Sequence, residues 1–236
     1  MNRTLQTAML TAAALLLALP SFADTFTSSS AFASATAGMT TTTANFDADT
    51  PGDIAEGATV DGITFNYTID GGAGSLAIAN LFDTTSPSNY LGSDDPTTEA
   101  LFPGDSVTMK FASPVNALGF FIIGGPYTAG DFTLTDGTDN AVSGTTLEQV
   151  LGDGGQVIFL GITNTAGFSS ATISLDSSAG ELWDVDDIVT GVNGNNNGGN
   201  PTVPEPGVFT LLLVALGLLS AATLFPNAPL RAGARS

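Results

Sequence analysis

The residues that could do chemistry in this chain are almost all carboxylates. The sequence has 23 aspartates and glutamates against 4 basic residues, and it contains neither histidine nor cysteine. Without histidine the chain lacks the commonest general base, and without cysteine it lacks disulfides and thiolate metal sites. The oxygen ligands that remain suit hard cations such as Ca²⁺, whereas the negative charge disfavours nucleic acid as a partner.

Candidates for catalysis are few. Asp94, Asp95 and Glu99 lie in a Ser/Thr/Pro-rich segment, residues 84–103, and could supply the carboxyl pair of a glycosidase. A chain with this many acids offers such pairs by chance. A serine nucleophile would lack its histidine, and Lys110 has no Ser-x-x-Lys spacing around it. We therefore expect a protein that is not an enzyme.

Two tyrosines are candidates for binding glycans. Tyr90 and Tyr127 fall in predicted loops with Gly or Pro nearby, where a ring could stack on a sugar while its hydroxyl stays wet. Trp183 has the same chemistry but lies inside the predicted last strand, which favours a place in the core.

The C-terminal tail has three parts in a fixed order. Pro204, Glu205 and Pro206 form a Pro-Glu-Pro motif, an uncharged apolar run follows from Val208 to Phe225, and the last residues carry Arg231 and Arg235. At about 1.5 Å per residue the apolar run covers most of a hydrocarbon core of roughly 30 Å, and the arginines favour the cytoplasmic side. An ordinary single-pass anchor is the alternative interpretation.

This tail resembles the PEP-CTERM sorting signal of Gram-negative bacteria. The resemblance implies an inner-membrane precursor that an exosortase processes and that is then delivered to the cell surface or the extracellular polysaccharide matrix. Segment 204–236 is assigned to this signal, and the Asn/Gly-rich segment 191–203 is predicted to be a flexible linker.

The N-terminus predicts export as well. Arg3 is followed by an apolar run from Ala8 to Leu19 and then by Ser21-Phe22-Ala23, which has small residues at the positions that a signal peptidase reads. Residues 1–23 are therefore assigned to a signal peptide.

The remaining segment, 24–190, has the length of one domain and an extreme charge. Between residues 24 and 203 there are 22 acids and one base, Lys110, which gives a net charge of −21. Short alternating or apolar runs separated by Gly, Asp and Asn predict an all-β fold with no helix outside the two termini. Ile63, Phe65 and Tyr67 alternate with polar residues, whereas Leu118 to Ile123 is continuously apolar, as in a strand buried on both faces.

Nine strands are predicted, near residues 41–46, 59–69, 75–82, 106–111, 117–123, 131–135, 156–162, 169–175 and 182–189. This number and spacing favour a two-sheet antiparallel sandwich of the jelly-roll type. A β-helix is the alternative, but the sequence has no fixed-period repeat.

Several segments of the domain resemble secreted PEP-CTERM β-sandwich proteins in sequence and order. They include Asn45-Phe46-Asp47, the stretch from Phe111 to Phe120, and the closing stretch from Trp183 to Ile188, which is similar to the last strand of jelly-roll carbohydrate-binding modules. In such modules the first and last strands lie side by side, and one acid near each holds a structural Ca²⁺.

The resemblance thus implies a Ca²⁺ site formed by Asp47 with Asp186 or Asp187. Because neighbouring residues of a strand point to opposite faces, only one of Asp186 and Asp187 is expected to be a ligand. Asp136-Gly137-Thr138-Asp139 is similar to part of a calcium loop, but a hairpin turn is the favoured interpretation. The expected function is a non-catalytic exported protein of the surface or matrix, with a carbohydrate-binding module as the alternative.

Overall fold

Thirteen β-strands, one short α-helix and a single 3₁₀ turn at Asp70–Gly72 occur in the part of the chain that the computed structural model describes, residues 23–86 and 88–194. Strands account for 53% of the residues and helix for 6%, so the prediction of an all-β fold is confirmed. The strands are β1 (Ala23–Phe26), β2 (Met39–Ala44), β3 (Gly52–Ile54), β4 (Thr59–Val60), β5 (Ile63–Thr68), β6 (Leu76–Ala79), β7 (Tyr90–Ser93), β8 (Ser106–Gly124), β9 (Phe132–Thr135), β10 (Asn140–Val142), β11 (Leu147–Val150), β12 (Gln156–Leu175) and β13 (Trp183–Asn193), and the helix is α1 (Ser29–Ala35).

All thirteen strands belong to one antiparallel sheet, which β8 and β12 hold together. The first part of β8 pairs with β5 on one side and with the second part of β12 on the other. From β12 the sheet continues through β9 to β10. The second part of β8 lies between the first part of β12 and β13, and β7, β6 and β3 continue from there. The number and spacing of nine short strands predict two separate sheets, whereas the structure joins residues 106–111 and 117–123 into β8 and residues 156–162 and 169–175 into β12.

The predicted breaks correspond to irregular pairing between β8 and β12 rather than to strand ends. Pro114 has no N–H to donate to the ladder, and Gly167 adopts a φ of 75° that favours glycine. The register shifts between Thr163 and Phe168, and the Asn116 side chain donates hydrogen bonds to two β12 carbonyl oxygens, at 3.1 and 3.2 Å. Such bulges increase the local bend of a strand.

The two parts of the sheet share one hydrophobic core. Phe65, Met109 and Ile173 from one part and Phe120 and Val185 from the other belong to a single buried cluster. Trp183 is fully buried in the same cluster and donates a hydrogen bond to the Phe102 carbonyl oxygen at 3.2 Å, which confirms its predicted place in the core.

The opposite face of β8 and β12 is also covered, which explains the continuous apolar run in β8. Phe32 of α1 packs on Phe159 with ring centroids 5.3 Å apart. A Cβ at Gly119 would lie 2.6 Å from the Phe159 ring and 3.0 Å from Phe32, so glycine is required for this close approach. The sequence predicts no helix here, because a seven-residue helix is too short to show a helical period.

Several elements differ from the prediction. β7 crosses the segment predicted as a Ser/Thr/Pro-rich loop, and the short strands β1, β3, β10 and β11 were not predicted. β13 continues to Asn193, three residues into the predicted linker, because β2 pairs with its second part from Ala44↔Ile188 to Met39↔Asn193. β2 corresponds to the first predicted strand, residues 41–46, and its pairing with β13 agrees with the expectation that the first predicted strand lies beside the last one. The strand that precedes it, β1, pairs with β12 instead.

Candidate functional site

The acids of β13 lie at a bulge that changes where they point. The register of β13 against β8 shifts between Asp186 and Val189, and Asp187 adopts a φ of 49°, a left-handed conformation. As a result the Thr85 hydroxyl lies 2.7 Å from an oxygen of Asp186 and 3.0 Å from an oxygen of Asp187. The expectation that these two carboxylates point to opposite faces is therefore wrong.

Asp186 is fully buried, and its carboxylate accepts hydrogen bonds from several neutral donors. Its Oδ2 accepts hydrogen bonds from the hydroxyls of Thr84 and Thr85 and from the N–H and hydroxyl of Ser86. Its Oδ1 accepts a hydrogen bond from the Asp187 N–H at 2.7 Å. Buried charge is tolerated when several donors satisfy it. Asp186 therefore ties the segment before β7 to the last strand.

Asp47 lies close to the same place. Its oxygens accept hydrogen bonds from the Asn45 side chain at 3.1 Å and from the Asn89 N–H at 3.4 Å. Burial raises the pKa of Asp187, and the charges of Asp186 and Asp47 raise it further. The structure thus brings all three predicted acids into electrostatic contact.

This geometry is not a formed Ca²⁺ cage. Within residues 23–86 and 88–194, no three acidic side chains are grouped so that they could hold a metal ion. Two of the donors that face Asp186 are backbone N–H groups, which cannot ligate a cation. The hydroxyls of Thr84, Thr85 and Ser86 are oxygen groups that could take part if the ion displaced their hydrogen bonds.

The two predicted glycan-binding tyrosines are buried. Tyr90 is 1% exposed and Tyr127 is 8% exposed. Tyr90 lies in β7, a strand that the sequence analysis did not predict, and the Tyr127 ring packs on Phe132 with centroids 4.9 Å apart. The Tyr127 hydroxyl lies 2.8 and 2.9 Å from the carbonyl oxygens of Ile123 and Leu182. Neither ring presents a face on which a sugar could stack.

A further acid of β13, Asp184, was not singled out from the sequence. It is 5% exposed, and no described residue donates a hydrogen bond to its Oδ1. Burial raises the pKa of Asp184 well above its ordinary value, and the charges of Glu99 and Asp153 add to the effect.

Asp184 lines a cavity of about 410 Å³. Asp153 and Glu181 contribute two more carboxyl groups to the walls, and Phe82, Ile123 and Leu182 contribute apolar surface. The loop that carries Asp153 is fixed to Asp83 by two reciprocal hydrogen bonds, at 3.0 and 3.1 Å, from each backbone N–H to the other carboxylate. The cavity therefore combines a buried carboxyl group, acidic walls and an apolar side.

The other acidic residues that were considered as candidates from the sequence form hydrogen bonds within turns or with nearby backbone groups. Asp95 accepts hydrogen bonds from the Thr97 hydroxyl at 2.5 Å and from the N–H groups of Thr97 and Thr98, both at 2.9 Å, and these bonds lower the pKa of Asp95 to about 2. Glu99 accepts a hydrogen bond from the Asn80 N–H at 3.1 Å. Asp136 caps the turn between β9 and β10, as predicted for a hairpin.

The predicted processing signals lie outside the described residues. This holds for Pro204, Glu205, Pro206 and the apolar run after them, and for the signal peptide up to residue 22. In the described part of the chain no helix is long and apolar enough to cross a membrane.

Comparisons with known proteins give little guidance. No protein-family model matches the chain, and no curated protein matches it. Two solved structures of the catalytic domain of a GH87 alpha-1,3-glucanase in complex with tetrasaccharides are 13% and 16% identical over 62% of this chain, each with a TM-score of 0.30. These matches span only 31% and 30% of the glucanase chains. The K2 cleaved adhesin domain of Lys-gingipain is 15% identical over 72% of this chain and 99% of its own length, with a TM-score of 0.29. Likeness at this level supports no argument about function.

Proposed function

We propose that this chain is a non-catalytic exported protein that an exosortase sorts to the cell surface or the extracellular polysaccharide matrix of a Gram-negative bacterium. The observation that carries the proposal is the order of the Pro-Glu-Pro motif, the apolar run and the terminal arginines in the tail. An N-terminal segment with the features of a signal peptide supports export. A net charge of −21 between residues 24 and 203 suits solubility outside the cell.

The sorting step is tested by the intact mass of the secreted protein. Cleavage near Pro206 removes the apolar run and both C-terminal arginines, so the mature form should end close to the Pro-Glu-Pro motif. Replacing Pro204, Glu205 and Pro206 by alanine should leave the precursor in the inner membrane. A mature form that still contains Arg235 would contradict the proposal.

Ca²⁺ is a separate part of the proposal. The electrostatic effect of Asp186 and Asp47 on Asp187 supports it, and the hydrogen bonds that already satisfy Asp186 are the competing arrangement. A ligand that binds only the folded state adds about 2.7 kcal/mol of stability at a concentration of about 100 times its Kd. The melting temperature of metal-stripped protein should then rise with millimolar Ca²⁺ and lose this response in Asp187→Ala. Sodium at matched ionic strength is the control for general screening.

A carbohydrate-binding module is the second candidate. The cavity beside Asp184 favours it, because a partly apolar pocket with a few fixed polar groups is the usual form of a small-molecule site. A glycan array on the purified protein separates this function from a purely structural role. The jelly-roll topology belongs to the same proposal, and the pairing of β2 with β13 supports it.

A further inference from the structure

We propose that two copies of this protein pair through the outer edge of β2, in an antiparallel arrangement that joins their two sheets into one. β2 pairs with β13 on one side, and no described residue pairs with its other side. The proposal is independent of the proposed sorting and of the proposed Ca²⁺ site.

The first argument is that the outer edge of β2 is unprotected. An edge strand presents a row of N–H and C=O groups to which another strand can bind, and natural proteins usually prevent this with charged side chains, proline, bulges or very short strands. β2 has none of these. Its residues pair with β13 without a register shift, from Met39↔Asn193 to Ala44↔Ile188, and all four of its threonines are exposed. β2 is therefore a regular strand that can accept a further strand.

The second argument is that β2 differs in charge and length from the other described strands with a single partner. Three of these strands carry an acid, namely Asp24 in β1, Asp53 in β3 and Glu148 in β11. The other two, β4 and β10, have only two and three residues. Because the net charge between residues 24 and 203 is −21, two copies repel each other wherever their carboxylates meet. Among the described strands, β2 is the edge at which two copies can meet without this repulsion.

The third argument is that symmetric pairing of β2 keeps the buried faces of the two sheets together. A two-fold axis that relates two antiparallel strands stands perpendicular to the sheet, so it passes through one residue and sets each side chain opposite one on the same face. An axis at Thr41 or at Thr42 pairs residues 39–43 or 40–44 with those of the second copy. Ala44 lies opposite the buried Ile188 of β13, so the core side of one sheet continues into the core side of the other.

The fourth argument is that threonine pairs of the required kind already occur inside this sheet. Thr59 lies opposite Thr64 with the two hydroxyl oxygens 2.7 Å apart, and Thr108 lies opposite Thr172 with the hydroxyl oxygens 2.8 Å apart. Cross-strand pairs of this type stabilise a sheet. The hydroxyls of residues 40–43 make no hydrogen bond within the described part of the chain, so they are available for the same contact with a second copy.

Disulfide cross-linking of the full chain, solubilised in a mild detergent, tests the proposal. The sequence contains no cysteine, so a single introduced thiol can form a disulfide only with another molecule. Thr40→Cys, Thr41→Cys, Thr42→Cys and Thr43→Cys are oxidised separately and analysed by non-reducing electrophoresis. Thr68→Cys is the matched control, because it replaces an exposed threonine at the end of β5.

We expect that either Thr41→Cys or Thr42→Cys forms a disulfide dimer at least fivefold more efficiently than the other three β2 variants and the control. The residue on the axis lies opposite its own copy, with Cβ atoms about 4.5–5.5 Å apart, near the distance that a disulfide needs. Its neighbours lie opposite different residues. Equal cross-linking at all four positions, as association through the apolar tail would produce, or no dimer at any of them would overturn the proposal. A disulfide to a different protein would also overturn it.

Sedimentation of the full chain without cross-linking is the second measurement. The double variant Thr41→Asp/Thr42→Asp sets carboxylates opposite each other across the axis and should weaken dimerisation at least tenfold, whereas Thr68→Asp should leave it unchanged. The wild-type dimer should become stronger as NaCl is raised, because salt screens the repulsion between two acidic domains. A monomeric wild type, or a dimer that the double variant does not weaken, would overturn the proposal. Processing of the tail does not enter either assay, so a failure here is distinct from a failure of the proposed sorting.

Discussion

Replacing Asp186 by asparagine is expected to lower the free energy of unfolding by about 2–4 kcal/mol. The substitution keeps the shape of the side chain and exchanges one acceptor oxygen for an NH₂ donor. In one orientation of the amide the NH₂ group faces the Asp187 N–H, and in the other it faces the Ser86 N–H. Hydroxyl groups can rotate away from such a clash, but a backbone N–H cannot.

The magnitude follows from counting what each orientation loses. One backbone N–H is left without an acceptor, which costs about 1–3 kcal/mol when the group is buried. The remaining hydrogen bonds change from a charged to a neutral acceptor and become about half as strong. The smaller desolvation cost of a neutral amide offsets part of this loss. The net loss of about 2–4 kcal/mol allows for that offset.

Urea unfolding at neutral pH, with chelator present, measures the effect. Thr85→Val is a second variant, because it removes the hydroxyl shared by Asp186 and Asp187 and should cost about 1–2 kcal/mol. Asp53→Asn, at an exposed position, should stay within about 0.5 kcal/mol of the wild type.

A stability of Asp186→Asn equal to that of the wild type would refute this account of the buried carboxylate. A second result, a dependence of the stability change on Ca²⁺, would also contradict this account. If the variant loses stability only when Ca²⁺ is present, Asp186 acts as a metal ligand and not as the acceptor of these hydrogen bonds.

Three further substitutions test other parts of the structure. Gly119→Ala should cost about 1–3 kcal/mol in urea unfolding, because its Cβ would lie 2.6 Å from the Phe159 ring. Burial raises the pKa of Asp105 above its ordinary value of 3.8, so the stability it contributes is complete below that pH and is lost as the pH rises through the raised pKa. Asp105→Asn should flatten this fall by up to about 1.4 kcal/mol per pH unit, which unfolding curves from pH 4 upward would show. Asp184→Asn should raise the free energy of unfolding, most clearly at high pH, because a neutral amide costs less to bury than a carboxylate and no described residue donates a hydrogen bond to the Asp184 Oδ1. A loss of stability would contradict this.

Much of the sheet can be predicted from the sequence, because apolar and polar residues alternate with the two-residue period of a β-strand. The alternation of Ile63, Phe65 and Tyr67 and the apolar run of β8 both correspond to strands with the predicted burial. What the sequence could not show is that turn-forming residues such as Pro114 and Gly167 lie within strands. Their effect on a strand depends on what the neighbouring strand offers, which is a tertiary property.

The candidate site was predicted in part. The meeting of Asp47 with the acids of β13 depends on an early strand pairing with the last one, which the resemblance to jelly-roll modules implied. The positions of Tyr90 and Tyr127 were predicted wrongly because neighbouring Gly and Pro residues indicate a loop but do not indicate its exposure. The sequence does contain a pattern that points to Asp184, because Asp184 and Asp186 alternate with Trp183 and Val185 at the two-residue period of a strand.

That alternation gives the last strand two different uses for the same residue type. Asp184 and Asp186 are two residues apart, so they point to the same face of β13 and are separated by roughly 7 Å along the strand. Asp186 accepts hydrogen bonds from several donors and stabilises the fold, whereas Asp184 has a buried oxygen that accepts no hydrogen bond from the described residues and lowers the stability of the fold. A fold that needed only stability would gain by replacing Asp184 with a neutral residue.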